Sequence, residues 1–537
     1  MGYVFKKELA GWQVKIVPCE SCAEEVTSGA QWDLLPANAL PAAVPGDWIL
    51  DMVREGLLPD PYFGDNYLKL MDYERHHVFY RTTFLAEDEE NVRLRFEGID
   101  TVADVYLNGK KIGHAENMFI EHEFAATGLI QGENELIVHL IPVCLEARKY
   151  DIAPPTAAFK YNNESLVIRK AAHSFGWDIC PRIVGGGLWK RVYLLKEKPK
   201  RIKSVQLVTC GFELAKTAKL NLLCDVEIGQ DDVHEYEIGL VGKCGASVFT
   251  VREKLWFTHL QKEFFVIAPK LWWVRGYGKA DLYDVTATLY RKGEEVDSYS
   301  FRYGIRTVKL IRDDVTTEEK RGEFVFVING KKVYLKGTNW VPCDAFHSRD
   351  EERLPAIMDL VWDCGCNALR VWGGGVYESD LFYDMCDERG IFVWQDFMMA
   401  CAIYPQTERM KSQLREEVIA VAKRLKNHPS LCLWAGDNEC DVAYASWFGG
   451  GRNPDDNTLT RVVIPEALQE ADGTRPYLPS SPYMSGEVLK KGLKAPEQHL
   501  WGPRKYFKGA FYRDNNATFA SEMGYHGCNS VESSKFT

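Results

Sequence analysis

The sequence lacks the features that mark membrane and secreted proteins. No run of apolar residues approaches the roughly 18 residues that a transmembrane helix needs. The first residues, MGYVFKKELAGWQVKIV, contain no apolar core of the kind found in signal peptides. We therefore predict a cytoplasmic protein that does not associate with a membrane.

Disulfide and metal signatures are also missing. The 15 cysteines are odd in number and follow no framework spacing, so we expect a reducing compartment. Cys19 and Cys22 form one Cys-x-x-Cys pair, but no second pair follows to complete a zinc site. None of the 12 histidines stands in a cluster of metal-ligating residues, and we predict neither a metal nor a cofactor.

Dense positive charge is scarce. The net charge is −11, and the one dense basic run, KEKPKRIK at 196–203, is typical of a solvated linker. An acidic excess of this size mainly favours solubility. We predict no nucleic-acid partner, and the sequence leaves the oligomeric state open.

What the chain does contain is typical of a large globular protein. Hydrophobic residues make up 46% and charged residues 26% of the 537 positions, a length that suggests three domains. There are 15 tryptophans. A tryptophan face stacks on sugar C–H groups and its N–H binds hydroxyls, although we expect most of the 15 to lie in the core.

Three patterns divide the chain. Residues 1–198 consist of short alternating strands, with a hairpin turn at Asn108-Gly109, and predict a β-sandwich. Residues 199–308 have turn signals at regular intervals and predict a small immunoglobulin-like sandwich. In residues 309–537 apolar strands such as VYLKG, NALRVW, IFVWQDF and LCLWAG alternate with amphipathic helices. That alternation predicts the parallel sheet of a (β/α)8 TIM barrel.

Polar and aromatic residues follow the predicted barrel strands. Because the carboxyl ends of barrel strands form the active-site face, we expect these side chains to meet there and, apart from the two glutamates, to bind the substrate. They are Asn339, Arg370 with Trp372, Asp396, Asn438 with Glu439, and Glu522. His499 and Trp501 lie near a further strand end, where they either line the pocket or pack in the core.

The two glutamates carry the chemical prediction. Glu439 and Glu522 are 522 − 439 = 83 residues apart, enough to place them on different barrel strands. In glycoside hydrolysis one carboxyl protonates the leaving oxygen, while the other attacks the anomeric carbon or activates water. The alternative is that each glutamate only pairs with a nearby arginine or lysine.

Over essentially its whole length the chain resembles glycoside hydrolase family two, and within it the β-mannosidase branch. The motifs are NWVPCDAF, LRVWGGGVYESDLFYDMCDERGIFVWQDFMMACAIYP, NHPSLCLWAGDNE and SEMG. The resemblance implies a sugar-binding-like jelly roll for residues 1–198. It also implies a retaining mechanism in which Glu522 is the nucleophile, Glu439 is the acid/base and Asn438 binds the sugar's 2-hydroxyl.

The resemblance extends to the loop SFGWDICPR, whose Trp177 and Asp178 would contact the sugar in the −1 subsite. The alternative for this pair is a packed loop with a capped turn. The sequence departs from the family pattern at Ile179 and Cys180. It also departs at Asp437, where the branch commonly has a second asparagine.

In the resembled family the nucleophile closes the seventh of eight barrel strands. Only 15 residues follow Glu522 here, so we expect a barrel without its last strand and helix, truncated at the C-terminus. An open seventh strand would expose a sheet edge, and we expect poor folding in isolation.

The expected function is release of terminal β-mannose from β-mannosides, including manno-oligosaccharides and N-glycan fragments. Other exo-β-glycosidases share the scaffold and remain alternatives, namely β-glucosaminidase, β-galactosidase and β-glucuronidase. A truncated carbohydrate-binding remnant without catalysis is the alternative from another class.

Overall fold

The structure, a computed structural model, describes residues 2–22, 25–87, 90–152, 154–213, 216–230, 232–502, 508–524 and 530–535. Within these ranges two antiparallel β-sandwiches precede a unit built on parallel strands. No helix of the described residues has both the length and the apolar character needed to span a membrane. The boundaries after residues 198 and 308 stay predictions.

The N-terminal sandwich packs two antiparallel sheets face to face. One sheet orders the strands Tyr3–Glu8, Val192–Glu197, Val92–Phe96 and His122–Ala125. The other orders Leu40–Pro41, Gln13–Pro18, His76–Ala86, Gly132–Leu140, Ala103–Leu107 and Lys110–Ala115. Strand Val92–Phe96 buries alternate side chains, as period-two patterning requires, and Leu94 and Phe96 enter the shared core.

The connections of this sandwich contain short helices that sequence periodicity does not reveal. The α-helices are Gly29–Leu34, Trp48–Arg54 and Val143–Glu146. The 3-10 turns are Cys19–Ser21, Asn66–Tyr73, Ala147–Lys149, Asn163–Leu166 and Ala172–Phe175. Most are too short to show an apolar stripe.

The second sandwich is smaller and also antiparallel. One sheet orders Arg201–Glu213, Thr217–Glu227 and His259–Ile267; the other orders Ser247–Lys254, Tyr236–Cys244, Tyr283–Arg291 and Glu294–Tyr303. A 3-10 turn, Val233–Glu235, joins them. Leu220, Leu222, Ile238 and Leu240 fill the space between the sheets.

The third unit opens with an antiparallel sheet of Val308–Arg312, Phe324–Ile328 and Lys331–Val333. Asn329 and Gly330, both with positive φ, form the predicted hairpin turn. Phe324 and Phe326 of this sheet pack against Trp394 and Phe519 of the barrel. The sheet thereby provides an apolar floor below the barrel strands.

Seven parallel barrel strands follow within the described residues. In chain order, first to seventh, they are Gly337–Trp340, Ala368–Val371, Phe392–Asp396, Leu431–Ala435, Tyr477–Leu478, Glu497–Leu500 and Phe519–Met523. The first five form one sheet, and the sixth pairs with the seventh. The seventh strand approaches the first, because Asn339 Nδ2 donates to the Ser521 carbonyl at 3.4 Å.

Helices connect and surround these strands. The α-helices are Asp350–Asp363, Asp380–Arg389, Glu408–Leu425, Cys440–Ala445, Ile464–Asp472, Gly486–Lys491 and Ala510–Arg513. The 3-10 turns are His347–Arg349, Pro454–Asp456 and Ser533–Lys535, and Leu459–Val463 is a π-helix. Helix Glu408–Leu425 shows why they form: the Thr407 hydroxyl caps it, and Met410, Leu414, Val418 and Val421 recur at helical spacing on its buried face.

A buried ion pair joins the N-terminal sandwich to the barrel. Arg169 donates to both carboxylate oxygens of Glu417, at 2.7 and 3.0 Å, and the Tyr377 hydroxyl donates to Glu417 Oε1 at 2.6 Å. A β-bridge between Ala157 and Ile403 adds a backbone link. These contacts hold the loop that carries Trp177 against the active-site face of the barrel.

Candidate active site

A cavity of about 740 Å³ opens where the barrel strands end. Nine of the ten predicted site residues line it, namely Trp177, Asp178, Asn339, Arg370, Trp372, Asn438, Glu439, Trp501 and Glu522. The tenth, Asp396, lies beneath the cavity and is fully buried. The structure therefore brings the predicted residues of two domains to one place.

Glu439 follows the fourth barrel strand in a left-handed backbone conformation, with φ +58°. This region is costly for a residue with a Cβ atom, so the surrounding contacts must impose it. The Glu439 N–H donates to the Ser481 carbonyl at 2.8 Å, and the Ala443 N–H donates to the Glu439 carbonyl at 2.9 Å. The strain directs the side chain into the cavity instead of along the helix that follows.

The Glu439 carboxyl group has a separate partner on each oxygen. His499 Nδ1 lies 2.8 Å from Oε1, and the Cys401 thiol donates to Oε2 at 3.2 Å. His499 comes from the sixth strand, and its Nε2 lies 3.0 Å from the Ser481 hydroxyl. Both the orientation and the position of the carboxyl group are thus fixed before any ligand binds.

Glu522 lies on the seventh strand and accepts two strong donors. Arg370 Nη1 donates to Oε2 at 2.7 Å, and the Trp501 indole N–H donates to Oε1 at 2.9 Å. Burial alone would raise the pKa of Glu522, but the nearby His499 and Arg370 outweigh it and lower the pKa. Glu522 is therefore ionised at neutral pH, as a nucleophilic carboxylate must be.

His499 lies between the two glutamates. A carboxylate oxygen of Glu439, one of Glu522 and a ring nitrogen of His499 all lie within 4.8 Å of one another. Burial opposes a charge on His499, but Glu522 and Glu439 together raise its pKa. A positive imidazole offsets the repulsion between the carboxylates. Three such groups are also enough to bind a metal ion, so the absence of a metal stays a prediction.

Arg370 organises the base of the cavity. Besides Glu522, its guanidinium donates to Asn339 Oδ1 at 2.8 Å, Asn438 Oδ1 at 2.8 Å and Asp396 Oδ2 at 2.7 Å. Four acceptors around one planar group need the fork geometry of arginine, which lysine cannot reproduce. Arg370, on the second strand, thus ties together residues from the first, third and seventh strands and from the segment after the fourth strand.

Asp396 supports Arg370 from below. Its carboxylate also accepts the Trp394 indole N–H at 2.9 Å and the Gly373 N–H at 3.1 Å. Burial raises the pKa of Asp396 to about 6, although the Arg370 charge works against that rise. Because Asp396 does not line the cavity, its place is below the substrate; this differs from the prediction of direct substrate contact.

Asn438 is held with a defined orientation. Its oxygen accepts from Arg370, and its Nδ2 contacts the Cys401 sulfur at 3.3 Å. A side-chain amide carries two hydrogens on nitrogen, so one remains for a ligand in the cavity. This geometry suits the binding of a hydroxyl group.

The tryptophans predicted at the cavity stand at its wall. Trp177 and Trp372 meet edge to face, with ring centroids 5.1 Å apart. Asp178 is exposed and borders the opening. Trp501 is half exposed and bonded to Glu522, so of the two roles considered for it the structure favours the pocket over the core.

Three matches to family models cover most of the chain. Residues 22–190 match the glycosyl hydrolase 2 galactose-binding domain-like model, and residues 201–306 match the model named glycosyl hydrolases family 2. Residues 320–476 match the family 2 TIM barrel domain. The chain belongs to glycoside hydrolase family 2. The predicted architecture of jelly roll, immunoglobulin-like sandwich and TIM barrel is confirmed for this family 2 chain.

Several β-mannosidases are similar to this family 2 chain. It is 33% identical over 476 residues to "Beta-mannosidase B" of Thermothelomyces thermophilus, covering 86% of this chain and 54% of the relative. It is 31% identical over 561 residues to the β-mannosidase of Capra hircus, covering 95% and 62%. A β-D-mannosidase structure from Dictyoglomus thermophilum superposes with a TM-score of 0.86 at 34% identity, covering 99% of this chain and 64% of that one. The chain thus spans less than two thirds of these proteins.

Sequence reasoning missed some residues of the cavity. Cys401, Phe159, Tyr161 and Trp447 line it, and only the fold brings them there. Phe159 packs against Trp447 with centroids 5.5 Å apart, which joins the N-terminal sandwich to the barrel at the cavity mouth. His499, for which the sequence left a pocket role and a core role open, lines the cavity.

Proposed function

We propose that this chain carries the active site of a retaining exo-β-mannosidase, which releases terminal β-mannose from β-mannosides, manno-oligosaccharides or N-glycan fragments. The observation that carries the proposal is the pair of carboxylates, Glu439 and Glu522, with oxygens within 4.8 Å in one cavity. Retaining enzymes hold their carboxyls about 5–5.5 Å apart, whereas inverting enzymes need about 6.5–9.5 Å to admit a water. The names of the similar proteins support mannose as the sugar.

In the first step Glu522 attacks the anomeric carbon. A bond forms between that carbon and a Glu522 oxygen, and the bond to the leaving oxygen breaks. The leaving oxygen takes a proton from Glu439. Arg370 and Trp501 hold Glu522 ionised and oriented for this attack, which reduces the entropic part of the barrier.

In the second step Glu439 acts as a base. It removes a proton from a water molecule, which attacks the anomeric carbon and displaces Glu522. Two inversions at one carbon leave the sugar in its original configuration. His499 stays beside both carboxylates through these steps and offsets their negative charge.

Asn438, Trp177, Asp178 and Trp372 are proposed to recognise mannose. The free N–H of Asn438 is placed for a 2-hydroxyl, and a bond there that strengthens in the transition state would contribute to the rate. Trp177 and Asp178 border the same cavity and are proposed to contact the sugar, with Trp372 as an apolar wall. Asn339 and Asp396 act through Arg370.

We propose a carbohydrate as the only class of partner, with neither nucleic acid nor membrane, and the cytoplasm as the compartment. The buried Cys144, Cys224, Cys386 and Cys432 are free thiols, which fits a reducing environment.

The test is turnover of p-nitrophenyl β-mannoside by the 537-residue chain, with Glu522→Ala as the matched control. We expect turnover that the substitution abolishes, and weaker turnover of the corresponding β-glucoside, β-galactoside, β-glucosaminide and β-glucuronide. A preference for one of those would replace mannose with that sugar. Binding of mannosides without turnover by the folded chain would favour a non-catalytic carbohydrate-binding protein.

A further inference from the structure

A thiol stands beside the proposed acid/base. Cys401 lies beyond the end of the third barrel strand, is 5% exposed and lines the cavity. Its sulfur donates to Glu439 Oε2 at 3.2 Å. A buried free cysteine is usually a small apolar core residue, so its contact with a cavity carboxylate needs a reason of its own.

The backbone fixes the position of this thiol. Cys401 has φ +50°, and its N–H donates to the Asn438 carbonyl at 2.8 Å. The Asn438 N–H in turn donates to the Met399 carbonyl at 2.9 Å. The loops that follow the third and fourth strands are thereby paired, and this pairing fixes the Cα and Cβ atoms of Cys401 beside Glu439.

The thiol is also one step in a directed series of hydrogen bonds. Arg370 donates to Asn438 Oδ1 at 2.8 Å, and Asn438 Nδ2 donates to the Cys401 sulfur at 3.3 Å. The sulfur then donates its own hydrogen to Glu439. Each donor in such a series polarises the next, which strengthens the last bond to the carboxylate.

We propose that Cys401 is a positioning residue for Glu439, whose thiol holds the carboxyl oxygen Oε2 in place through both protonation states of the acid/base. The proposal rests on the function proposed above. Glu439 must be a carboxylic acid in the first step and a carboxylate in the second. A thiol matches both, because it donates a hydrogen to a carboxylate and accepts one from a carboxylic acid.

The chemistry requires that the sulfur keep its proton. Burial and the neighbouring Glu439 both raise the pKa of the Cys401 thiol, so it remains neutral and available as a donor. Before the first step the acid proton lies on Glu439 Oε2 and the sulfur accepts this O–H, with the S–H turned aside about the Cβ–Sγ bond. The O–H then turns from the sulfur to the leaving oxygen and transfers its proton as the glycosidic bond breaks. No bond to sulfur forms or breaks, and the proton that reaches the leaving oxygen comes from Glu439.

Two substitutions separate this role from simple packing. Cys401→Ala removes the donor and the acceptor, whereas Cys401→Ser keeps both in a side chain of similar size. A 2,4-dinitrophenyl β-mannoside needs little acid assistance because its leaving group is a stable anion, whereas β-mannobiose depends on Glu439. We expect the alanine variant to lose about tenfold in kcat/KM on mannobiose and less than about twofold on the dinitrophenyl substrate, a loss typical of one hydrogen bond.

We expect the serine variant to recover mannobiose hydrolysis to within about threefold of the parent chain, because its hydroxyl both donates and accepts a hydrogen bond. Equal losses on the two substrates, no loss on either, or serine behaving like alanine would each overturn the proposal. A parent chain inactive on both substrates would instead refute the proposed function.

A second measurement tests the contact between the Cys401 thiol and Glu439 and does not require turnover. Iodoacetamide labelling of Cys401, followed by peptide mass spectrometry, reports how readily its thiol ionises. Glu439→Gln removes the negative charge that disfavours the thiolate, so we expect labelling of Cys401 to accelerate about fivefold. Labelling of the exposed Cys364 should stay unchanged. An unchanged rate at Cys401 would show that Glu439 and the thiol do not interact, and would overturn the proposal.

Discussion

Asp437 offers a stability test that does not depend on catalysis. It precedes Asn438 and Glu439, is 0% exposed, and stands where the resembled branch commonly has asparagine. Its Oδ1 accepts from the Ser480 hydroxyl at 2.5 Å and from the Cys440 N–H at 3.0 Å. Its Oδ2 has no hydrogen-bond partner among the described residues. A charge on such a group is expensive, because burial removes it from water and the nearby Arg461 charge only partly compensates.

The pKa follows from that environment. Burial, with the nearby Asp441 adding to it, raises the pKa of Asp437 to about 8. In the unfolded chain an aspartate titrates near pH ~3.9. Between these values the folded state keeps a proton that the unfolded state has lost. Stability therefore falls as pH rises through this window, and the loss ends only when the folded state also ionises.

We expect Asp437→Asn to remove this dependence, because an amide does not titrate. One proton of difference changes the free energy of unfolding by about 1.36 kcal/mol per pH unit. Between pH 5 and pH 7 the variant should therefore gain about 2.7 kcal/mol relative to the parent chain. The difference in unfolding free energy between the two proteins at pH 5 does not itself test the idea, because the neutral acid and the amide each leave one polar atom unpaired.

The assay is urea unfolding followed by tryptophan fluorescence at pH 5, 6 and 7 for both proteins. Asp441→Asn serves as the matched control. Its carboxylate accepts two bonds from Arg461, at 2.7 and 2.8 Å, so its loss should destabilise the fold by about 3–5 kcal/mol at neutral pH. A stability difference between Asp437→Asn and the parent that does not change with pH would show that Asp437 is already ionised, and would refute the reasoning.

Three further predictions concern the site and its support. Glu439→Ala should abolish hydrolysis of mannobiose but spare the first step on a dinitrophenyl mannoside, whose glycosyl-enzyme then reacts slowly with water because the base is missing. Added azide should restore turnover and give β-mannosyl azide, and product analysis without that azide would contradict an acid/base role. Trp501→Phe removes the indole donor to Glu522 and should lower kcat/KM about tenfold with little change in stability, so an unchanged rate would exclude the bond. Arg169→Met leaves Glu417 buried without its cation and should cost about 3–5 kcal/mol in urea unfolding, whereas a loss below about 1 kcal/mol would mean that this pair does not join the domains.

The strands and the carboxylates of the barrel could be predicted from sequence because both follow local rules. Buried parallel strands are mostly apolar runs; Leu431–Ala435 is one throughout, and Ala368–Val371 and Phe392–Asp396 are apolar except for Arg370, Gln395 and Asp396. Arg370, Asn438 and Glu439 were expected at one face because the carboxyl ends of parallel strands share an edge.

Other features depend on contacts that no local pattern encodes. VYLKG looked like a barrel strand, but Val333 ends a hairpin strand in the floor, and the first barrel strand starts at Gly337. Asp396 looked like a substrate ligand because it ends a strand, yet it turns below Arg370. Cys401 and Phe159 reach the cavity only through loops that pair across strands or domains. The positions of these residues are set by tertiary packing.

Direct trapping of the glycosyl-enzyme tests the central claim, that Glu522 attacks the sugar and Glu439 assists. A 2,4-dinitrophenyl 2-deoxy-2-fluoro-β-mannoside slows the second step, so the covalent intermediate accumulates and its peptide can be sequenced by mass spectrometry. The account predicts one fluoromannosyl group per chain, attached to the Glu522 carboxylate and absent from Glu522→Ala. A label on Glu439 or any other residue, or hydrolysis of the reagent without a covalent adduct, would contradict it.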